Sequence, residues 1–433
     1  MKKRIYVGAG ASAVIAIVAL ALTVSGAIAH TSGATPLPAS SCSAIQNGSG
    51  KILVASDLPL EGSGRTQTLQ MTRAISFIFK QHNWQAGKYS LAYQSCDDAT
   101  AQAGKWDSGK CSANANAYAQ DQSVGFVIGT FNSGCAEIIV PVLNRAANGP
   151  VAMVSPANTY VGLTHPGPGT VAGEPGKYYP TGKRNYARVV AADDYQGAAD
   201  AVLAKSLGVH KVFILNDKEA YGLGVATNFR NAAQKLGIKV VGFTAWDGKA
   251  SSYEALAVKI KASGAQGVFL GGLICENGGK LIKDIRAGVA SSVHIMMPDG
   301  FTPVSATVQG AGTAAEGATV SVAGLPNSAL KGAGAAFVKA FSKADHQPPD
   351  PYSVYAAQAA EVVVAAIAAS DGTRADISKQ LFKVNLKGSI LGNVSFNANG
   401  DVTSNPVTIY KVKGGKSTTY RVIVPPKTLV KAA

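Results

Sequence analysis

Short runs of apolar residues alternate along the first half of the chain with longer segments in which apolar residues recur every three or four positions. The apolar runs predict buried strands at residues 51–57, 89–95, 125–129, 151–154 and 188–191. Helical spacing predicts helices at residues 66–81 and 135–147. Because alternating strands and helices pair in parallel through right-handed crossovers, this half predicts a doubly wound α/β unit.

The same alternation starts again after a loop at residues 165–182, which contains four prolines and five glycines. Strands are predicted at residues 211–215, 239–244, 267–271 and 293–297, and helices at residues 222–236, 253–263 and 278–287. Two more predicted helices, at residues 330–343 and 352–370, precede a strand-rich tail at residues 390–424. The sequence therefore predicts two doubly wound units, with the tail returning to one of them.

The N-terminus has the three parts of a secretory signal. Basic residues occupy positions 2–4, an uncharged apolar stretch follows, and Ala27-Ile28-Ala29 forms a small-residue cleavage site. An uncleaved membrane anchor is the alternative, and we favour cleavage. Lipidation at Cys42 is disfavoured, because that cysteine lies far beyond the apolar stretch. A polytopic membrane protein is excluded, since no later stretch is long and apolar enough for a span.

Length and charge narrow the class of protein further. A chain of 433 residues with 47% apolar residues is too long for one ordinary core and too apolar for disorder. Loss of residues 2–4 would lower the formal charge from +15 to +12. The basic residues are scattered singly, and the densest cluster, Lys183-Arg184, is short. We therefore expect no nucleic-acid partner and favour contact with an anionic envelope surface.

Five cysteines in an exported chain predict oxidation, with at least one left unpaired. Cys96 and Cys111 flank a short glycine-containing loop and are the predicted pair, while the pairing of Cys42, Cys135 and Cys275 stays open. A zinc site is the weaker alternative, because no Cys-x-x-Cys occurs and no histidine lies at ligand spacing from a cysteine. We expect neither a metal nor a cofactor.

The motifs favour binding over catalysis. The sequence contains no Gly-x-Ser-x-Gly, no phosphate-binding P-loop and no His-Glu-x-x-His. In the first unit, polar turns at residues 132–134 and 155–159 follow predicted strands. Their hydroxyls and free backbone N–H groups could hold a carboxylate at the carboxyl edge of a parallel sheet, although simple helix capping is the alternative for each turn alone.

The second unit has turns at the equivalent edge, at residues 217–222, 271–276 and 298–301. Asp299 could pair with a ligand ammonium group, and Tyr221 or Phe301 could cover its apolar part. Ordinary turn and helix-start roles are the alternative for these residues. Glu276 is interpreted as a solvated acid in the first turn of a helix.

Together these turns resemble the type I periplasmic binding proteins of the branched-chain amino-acid (Leu/Ile/Val-binding) class, which are substrate-binding components of ABC importers. The resemblance extends from about Lys51 to Lys413. It is carried by Ile-Gly-x-x-x-Ser ending at Ser133, Ser-Pro-Ala-Asn-Thr at residues 155–159, Asn-Asp-Lys-x-x-Tyr-Gly ending at Gly222, and Pro-Asp-Gly at residues 298–300.

The resemblance implies a role for each matching residue. Ser133, Ala157 and Thr159 would hold the α-carboxylate of the ligand, Asp299 its ammonium group, and Tyr221 would line the cleft. The remaining ligand-binding candidates are Asn158, Leu273, Ile274 and Phe301. The chain has Leu273 where amino-acid binders often have an aromatic residue, and it lacks the usual tyrosine near residues 64–65. The expected partners are a small amino-acid-like ligand and a membrane permease.

The architecture expected from this family is two Rossmann-like lobes joined by a three-stranded hinge. The predicted division is a signal peptide at residues 1–29, a flexible leader at 30–50, an N-terminal lobe at 51–192 plus 324–400, a C-terminal lobe at 193–323 plus 401–424, and a tail at 425–433. An envelope enzyme acting on an amide or a peptidoglycan fragment is one alternative, but no histidine lies in the edge turns. A sensory receptor is another, disfavoured by the absence of a second membrane segment.

Overall fold

The computed structural model describes residues 33–430, which form seventeen strands and twelve helices. In chain order the strands are β1 (Ile52–Leu58), β2 (Gln85–Ala86), β3 (Tyr89–Asp97), β4 (Ala99–Thr100), β5 (Lys105–Trp106), β6 (Val124–Gly129), β7 (Ala152–Ser155), β8 (Tyr186–Arg188), β9 (Lys211–Asn216), β10 (Lys239–Ala245), β11 (Gly267–Gly271), β12 (His294–Met297), β13 (Thr319–Ala323), β14 (Asn385–Ser389), β15 (Gly392–Ser395), β16 (Val407–Lys413) and β17 (Lys416–Ile423).

The helices surround the strands on both sides. In chain order they are α1 (Arg65–Gln81), α2 (Ser108–Gln120), α3 (Ser133–Asn144), α4 (Asp193–Ser206), α5 (Ala220–Lys235), α6 (Glu254–Ala262), α7 (Gly278–Gly288), α8 (Val304–Ala311), α9 (Ala333–Asp345), α10 (Pro351–Ala368), α11 (Arg374–Leu381) and α12 (Lys427–Val430).

Two main sheets define two lobes. The first has the order β2-β3-β1-β6-β7-β8, and the second has the order β10-β9-β11-β12-β13-β16-β17. All neighbours in the first sheet are parallel except β2 and β3, and those in the second are parallel from β10 to β13. Strands β16 and β17 add to the second sheet in antiparallel fashion. The predicted α/β class with two doubly wound lobes is confirmed, and the tail returns to the second lobe.

The first lobe is held together by cores on the two faces of its sheet. On one face, α1 and α10 pack against strands β1 and β6. Helix α10 is long and apolar enough to span a membrane, but 78% of that window is buried within the protein. It is therefore a core helix, and its burial against α1 fixes the tyrosine at its N-terminus, Tyr352, next to the second lobe.

Parallel topology places the functional turns at the carboxyl edges of the two sheets. Strand β6 ends four residues before α3, and β7 ends at Ser155. In the second lobe β9, β11 and β12 end at Asn216, Gly271 and Met297. The chain passes between the sheets after β8, after β13 and before β16, so these crossings hold the two edges facing each other.

The N-terminal part of the described chain corrects the prediction of a flexible leader at residues 30–50. Ala34, Leu37 and Cys42 are buried, and the backbone N–H of Leu37 donates to Gln94 Oε1 at 2.8 Å. These apolar side chains pack on the outer face of the first sheet because β3 presents polar partners for the leader backbone. The predicted signal peptide at residues 1–29 lies outside the described residues.

The predicted disulfide between Cys96 and Cys111 is wrong. The structure pairs Cys42 with Cys96 and Cys111 with Cys135, and it leaves Cys275 as a free thiol. Cys96 faces the packed leader, where it forms an isolated β-bridge with Cys42. Cys111 lies on α2, which packs against α3 and so against Cys135. The sequence prediction considered only the short loop and not these two packing partners.

Candidate ligand-binding site

A small cavity lies between the two lobes, at the carboxyl edges of both sheets. The volume that the centre of a water molecule can occupy in this cavity is about 20 Å³. The cavity therefore has room for about one water molecule. The lining residues are Phe131, Asn132, Ser133, Ala157 and Thr159 from the first lobe and Glu219, Tyr221, Leu273, Asp299 and Gly300 from the second. Six of the nine predicted ligand-binding residues are among them.

The N-terminus of α3 forms part of the first-lobe wall. The helix begins at Ser133, and the side chain of Asn132 at the N-cap makes no capping hydrogen bond. The first N–H groups of a helix have no partner within the helix and carry partial positive charge. Because residues 132 and 133 line the cavity, this wall offers N–H groups and a hydroxyl to an anionic group.

The turn after β7 forms the rest of the first-lobe wall. The Ser155 hydroxyl donates to the Thr130 carbonyl at 2.9 Å and accepts from the backbone N–H groups of Ala157 and Asn158 at 3.1 and 2.7 Å. These bonds fix the turn so that Ala157 and Thr159 line the cavity. Among residues 33–430, the backbone N–H of Thr159 has no hydrogen-bond partner.

Asn158 holds this turn in place and does not line the cavity. Its amide nitrogen donates to Thr130 Oγ1 at 3.2 Å and to the Phe131 carbonyl at 3.0 Å. Its amide oxygen accepts from the Tyr186 hydroxyl at 3.1 Å. The side chain is fully buried, so the structure places Asn158 behind the wall that the ligand would contact.

Asp299 is the principal acid of the opposite wall. The Tyr221 hydroxyl donates to its Oδ1 at 2.5 Å, and the Tyr352 hydroxyl, from the first lobe, donates to its Oδ2. The Tyr221 oxygen also accepts from the Gly300 N–H at 2.8 Å. Burial raises the pKa of Asp299, and the two tyrosine hydrogen bonds offset part of that shift.

Asp193 is a second acid beside this site, and the sequence predictions did not include it. It is the first residue of α4, its backbone N–H donates to the Thr159 carbonyl at 2.8 Å, and it is fully buried. Neither carboxylate oxygen has a hydrogen-bond partner among the described residues. Burial raises its pKa strongly and the charge of Asp299 raises it further, while the Thr159 side chain and the charge of Arg188 lower it. An unpaired buried carboxylate favours a cation or a proton beside it.

The other predicted second-lobe residues are placed differently from one another. Leu273 lines the cavity, and its backbone N–H donates to Asp217 Oδ2 at 2.9 Å. Ile274 borders a neighbouring opening of the cleft instead. The ring of Phe301 is fully buried among the apolar side chains of the second lobe, against Gly278. The prediction that Phe301 could cover a ligand is therefore wrong, because its side chain completes the core.

An ionic clasp joins the lobes at the edge of the cavity. Lys105, on β5 of the first lobe, contacts Glu219 at 2.6 Å and also pairs with Glu276, both from the second lobe. Trp106 Nε1 donates to Glu219 Oε2 at 3.2 Å. The interpretation of Glu276 as a merely solvated acid is wrong, since its carboxylate is one of the two groups that hold Lys105. Burial alone would lower the pKa of Lys105, but the two carboxylates raise it.

The loop at residues 165–182 also bridges the lobes. The Asn228 side chain, on α5, donates to the Pro168 carbonyl at 2.9 Å. Within the loop, Glu174 accepts from the hydroxyls of Tyr160 at 2.7 Å and Tyr178 at 2.6 Å. The loop is thus packed on the first lobe and touches the second, beside the start of the hinge.

Comparison with known proteins identifies the family. A family model described as "Periplasmic binding protein" matches residues 54–417. The chain belongs to this family. A curated relative, the Leu/Ile/Val-binding protein homolog 2 of Brucella abortus, is 28% identical over 375 residues, covering 85% of this chain and 92% of the relative. The recognised class is therefore that of type I periplasmic binding proteins for branched-chain amino acids.

Solved structures share the fold. The leucine-binding protein LivK of Thermotoga maritima superposes with a TM-score of 0.74 at 20% identity, covering 87% of this chain and 99% of that one. A solute-binding protein of R. palustris in complex with benzoate gives a TM-score of 0.70 at 20% identity, covering 87% and 97%. Members of this periplasmic binding protein family are substrate-binding proteins, and membership implies an exported location. The neighbours' ligands differ, so the fold alone does not identify the ligand of this chain.

Five residues at this site were not predicted: Lys105, Phe131, Asp193, Glu219 as a cavity residue, and Tyr352. Asp193 and Asp194 begin helix α4, a few positions after the buried strand at residues 186–188. A pair of acids in that position could have marked Asp193 as a candidate site residue. Tyr352 comes from a helix far along the chain. No local pattern links it to Asp299, because only the packing of α10 brings them together.

Proposed function

We propose that this periplasmic binding protein captures a small zwitterionic α-amino acid between its lobes and delivers it to an ABC importer. The observation that carries the proposal is the opposite polarity of the two cavity walls. The first-lobe wall offers the start of α3, the Ser133 hydroxyl and the N–H of Thr159, which is unpartnered within the described residues. The opposite wall offers the carboxylate of Asp299, with the buried carboxyl of Asp193 close beside it. An α-amino acid carries its negative and positive groups close enough to satisfy both walls at once.

Each wall has a defined role in this proposal. The N-terminus of α3 and the Thr159 N–H and hydroxyl receive the α-carboxylate, with Ala157 shaping the same turn. Asp193 and Asp299 receive the ammonium group, which removes the cost of leaving Asp193 unpaired. The ring of Tyr221 lies beside this group, since its hydroxyl already holds Asp299. Phe131 and Leu273 supply apolar contacts for the ligand side chain.

Ligand binding would favour the closed arrangement of the lobes. The proposed carboxylate site belongs to the first lobe and the proposed ammonium site to the second, so both are satisfied only when the cleft closes. The ligand therefore shifts the population towards the closed form, which a permease recognises. The small cavity volume requires the walls to move apart for entry, and this hinge motion is part of the proposal.

The experiment is a ligand screen on protein freed of co-purifying molecules by reversible unfolding. Native mass spectrometry of the untreated protein first identifies any bound small molecule. Thermal shift and calorimetry then compare amino acids with aromatic carboxylates such as benzoate. The proposal requires that an α-amino acid bind best and be recovered chemically unchanged. Turnover of the ligand would favour an enzyme, and preferential binding of benzoate would place a different solute in the site.

A further inference from the structure

The C-terminal end of the chain is uniformly basic. After Asp401, residues 402–433 contain six lysines and arginines and no aspartate or glutamate. Elsewhere acids and bases are interspersed, so this segment concentrates positive charge that the amino-acid site does not use. Most of these cations lie on the hairpin formed by β16 and β17.

The pairing of the hairpin places four cations on one face. Lys413 lies opposite Lys416, Lys411 opposite Thr418, and Ile409 opposite Arg421. Directly opposed residues share a face, and so do residues two apart on one strand. Lys411, Lys413, Lys416 and Arg421 therefore project from the same side of the sheet. None of the four has a salt bridge within residues 33–430.

This face also exposes an aromatic ring. Strand β17 is the edge of the second sheet, and its first seven residues are exposed. Tyr420 is 41% exposed. The centroid of its ring lies 5.6 Å from Lys411 Nζ and 4.7 Å from the Arg421 guanidinium. Glu316 hydrogen-bonds the turn of the hairpin, where its carboxylate accepts from the N–H of Gly414 at 3.0 Å.

We propose that this face of the β16–β17 hairpin docks the protein on a membrane that carries anionic lipid headgroups. Charge complementarity favours the headgroups, because clustered lysines and arginines are attracted to the negative surface potential of such a membrane. The amphipathic Tyr420, whose ring lies among these cations, suits the boundary between headgroups and acyl chains. A soluble polyanion would use the cations but would gain nothing from burying the exposed ring.

The contact would be weak and reversible. Four cations and one aromatic ring cannot insert as a spanning helix does, and salt screens the attraction of the cations to the membrane. Such docking would keep a solute-binding protein near the membrane surface without immobilising it. The hairpin lies at the edge of the second sheet, away from the cavity residues, so docking leaves amino-acid binding unaffected.

The test is co-sedimentation of the full chain with vesicles of phosphatidylcholine alone or with about 30% phosphatidylglycerol. The triple variant Lys411→Gln, Lys413→Gln, Lys416→Gln is compared with a control of equal net charge, Lys259→Gln, Lys261→Gln, Lys283→Gln. All proteins share the same N-terminal segment, so its contribution cancels between variant and control. We expect the hairpin variant alone to lose roughly tenfold or more of its partitioning onto the anionic vesicles.

A second variant distinguishes binding to a lipid membrane from binding to a soluble polyanion. Tyr420→Ser should weaken vesicle binding while leaving binding to soluble polyphosphate unchanged. Raising the salt to about 0.5 M should remove the difference between the hairpin variant and its control. Equal vesicle binding by the hairpin variant and the control overturns the proposal. So does hairpin-dependent binding of polyphosphate with no hairpin-dependent binding to vesicles. Circular dichroism and amino-acid binding verify that each variant is folded.

Discussion

Two buried acids, Asp193 and Asp299, lie beside one small cavity, and only Asp299 has its carboxylate oxygens hydrogen-bonded. Asp299 accepts from two tyrosine hydroxyls, whereas neither carboxylate oxygen of Asp193 has a hydrogen-bond partner among the described residues, although the charge of Arg188 acts on it. The burial of Asp193 is thus an unfavourable feature of the protein alone. Such a feature is expected where a ligand supplies the missing cation, and it makes stability and binding respond in opposite directions.

The first prediction is that a change at Asp193 affects stability and ligand affinity in opposite directions. Asp193→Asn replaces a buried carboxyl group without hydrogen-bond partners by a neutral amide, so thermal stability without ligand should be unchanged or higher. Affinity for the amino acid should fall, because loss of one partner of a buried charge pair typically costs about 2–5 kcal/mol. Calorimetry and thermal melting measure the two effects, with the exposed Glu254→Gln as the control. A variant that binds as tightly as the parent would remove Asp193 from the proposed site.

The second prediction concerns the opposite wall. Ser133→Ala and Thr159→Val each remove one hydroxyl but leave the N–H groups of the wall in place. A hydrogen bond to a charged group contributes about 1.5–3 kcal/mol, so each change should weaken binding less than Asp299→Ala does. Calorimetric titration of the three variants tests the order. If the hydroxyl variants proved the more damaging, the carboxylate would depend on them and not on the helix N-terminus.

Sequence reasoning placed Ser133, Thr159, Tyr221 and Asp299 correctly at the cavity because all four follow strand ends in a parallel sheet. It failed for Phe301, because the sequence does not tell whether a residue after a strand end turns inward or outward. The binding roles of the cavity residues stay predictions until ligand binding is measured.

At the level of secondary-structure elements, the ionic clasp connects short strand β5 to two second-lobe turns. Its side chains are partly buried, with Lys105 27% and Glu219 16% exposed. The charges of Lys105, Glu219 and Glu276 offset one another only when the lobes are together, because the lysine belongs to one lobe and both carboxylates belong to the other. The clasp therefore adds a ligand-independent contribution to closure.

The third prediction is that Lys105→Met weakens amino-acid binding by roughly 3- to 30-fold at low salt, since closure loses an interlobe ion pair. Raising the salt from about 0.05 to 0.5 M should weaken the parent but change the variant little. Lys383→Met, an exposed lysine of the first lobe, is the matched control. The same salt dependence in Lys105→Met and the parent would show that the clasp does not govern closure.

A buried network beside the hinge supplies the fourth prediction. His165 contacts Asp401 at 3.0 Å and Asp194 at 3.2 Å. Burial alone would lower the pKa of His165, but its hydrogen bonds to these carboxylates raise the pKa from 6.5 to about 9. Arg188 also holds Asp401, at 2.8 Å. Protonated His165 thus stabilises the folded state.

The stabilisation is complete below about pH 6.5 and is lost as the pH rises through about 9, because the folded-state pKa exceeds the unfolded one. Over that window the parent should lose up to about 3 kcal/mol of unfolding free energy relative to His165→Gln. Denaturant unfolding at several pH values measures this, with His210→Gln as control. Parallel pH profiles for the parent and His165→Gln would exclude the proposed contribution.

The central strands β1, β6, β7, β9, β11 and β12 were predictable because each is a short, almost fully buried apolar run. Five helices were not predicted: α2, α4, α8, α11 and α12. Helix α4 buries residues all around its axis, including Asp193 and Asp200, so it lacks the one-sided apolar pattern that sequence reasoning seeks. The cysteine pairing failed for a related reason, since it depends on which elements pack together and not on spacing.

On the scale of the whole molecule, the two lobes form one proposed binding site, because the first-lobe edge offers N–H and hydroxyl groups and the second-lobe edge offers carboxyl groups. The fold and the two-lobe arrangement followed from the alternation of strands and helices and from the family resemblance. The exact lobe boundaries stay a prediction, as does the import function. The fold is shared with proteins that bind amino acids and with one that binds benzoate, so ligand chemistry must be decided by the walls of the cavity.

The most direct test of the account is calorimetric titration with three molecules that share one carbon skeleton: leucine, its deaminated acid 4-methylpentanoate, and leucinamide. Leucine should bind most tightly, because it alone of the three carries both an ammonium group and a carboxylate. Loss of the ammonium or of the carboxylate should each weaken binding by about 2 kcal/mol or more, which is roughly 30-fold. Binding of 4-methylpentanoate as tight as that of leucine would contradict the account, because Asp193 and Asp299 would then have no ammonium group to hold.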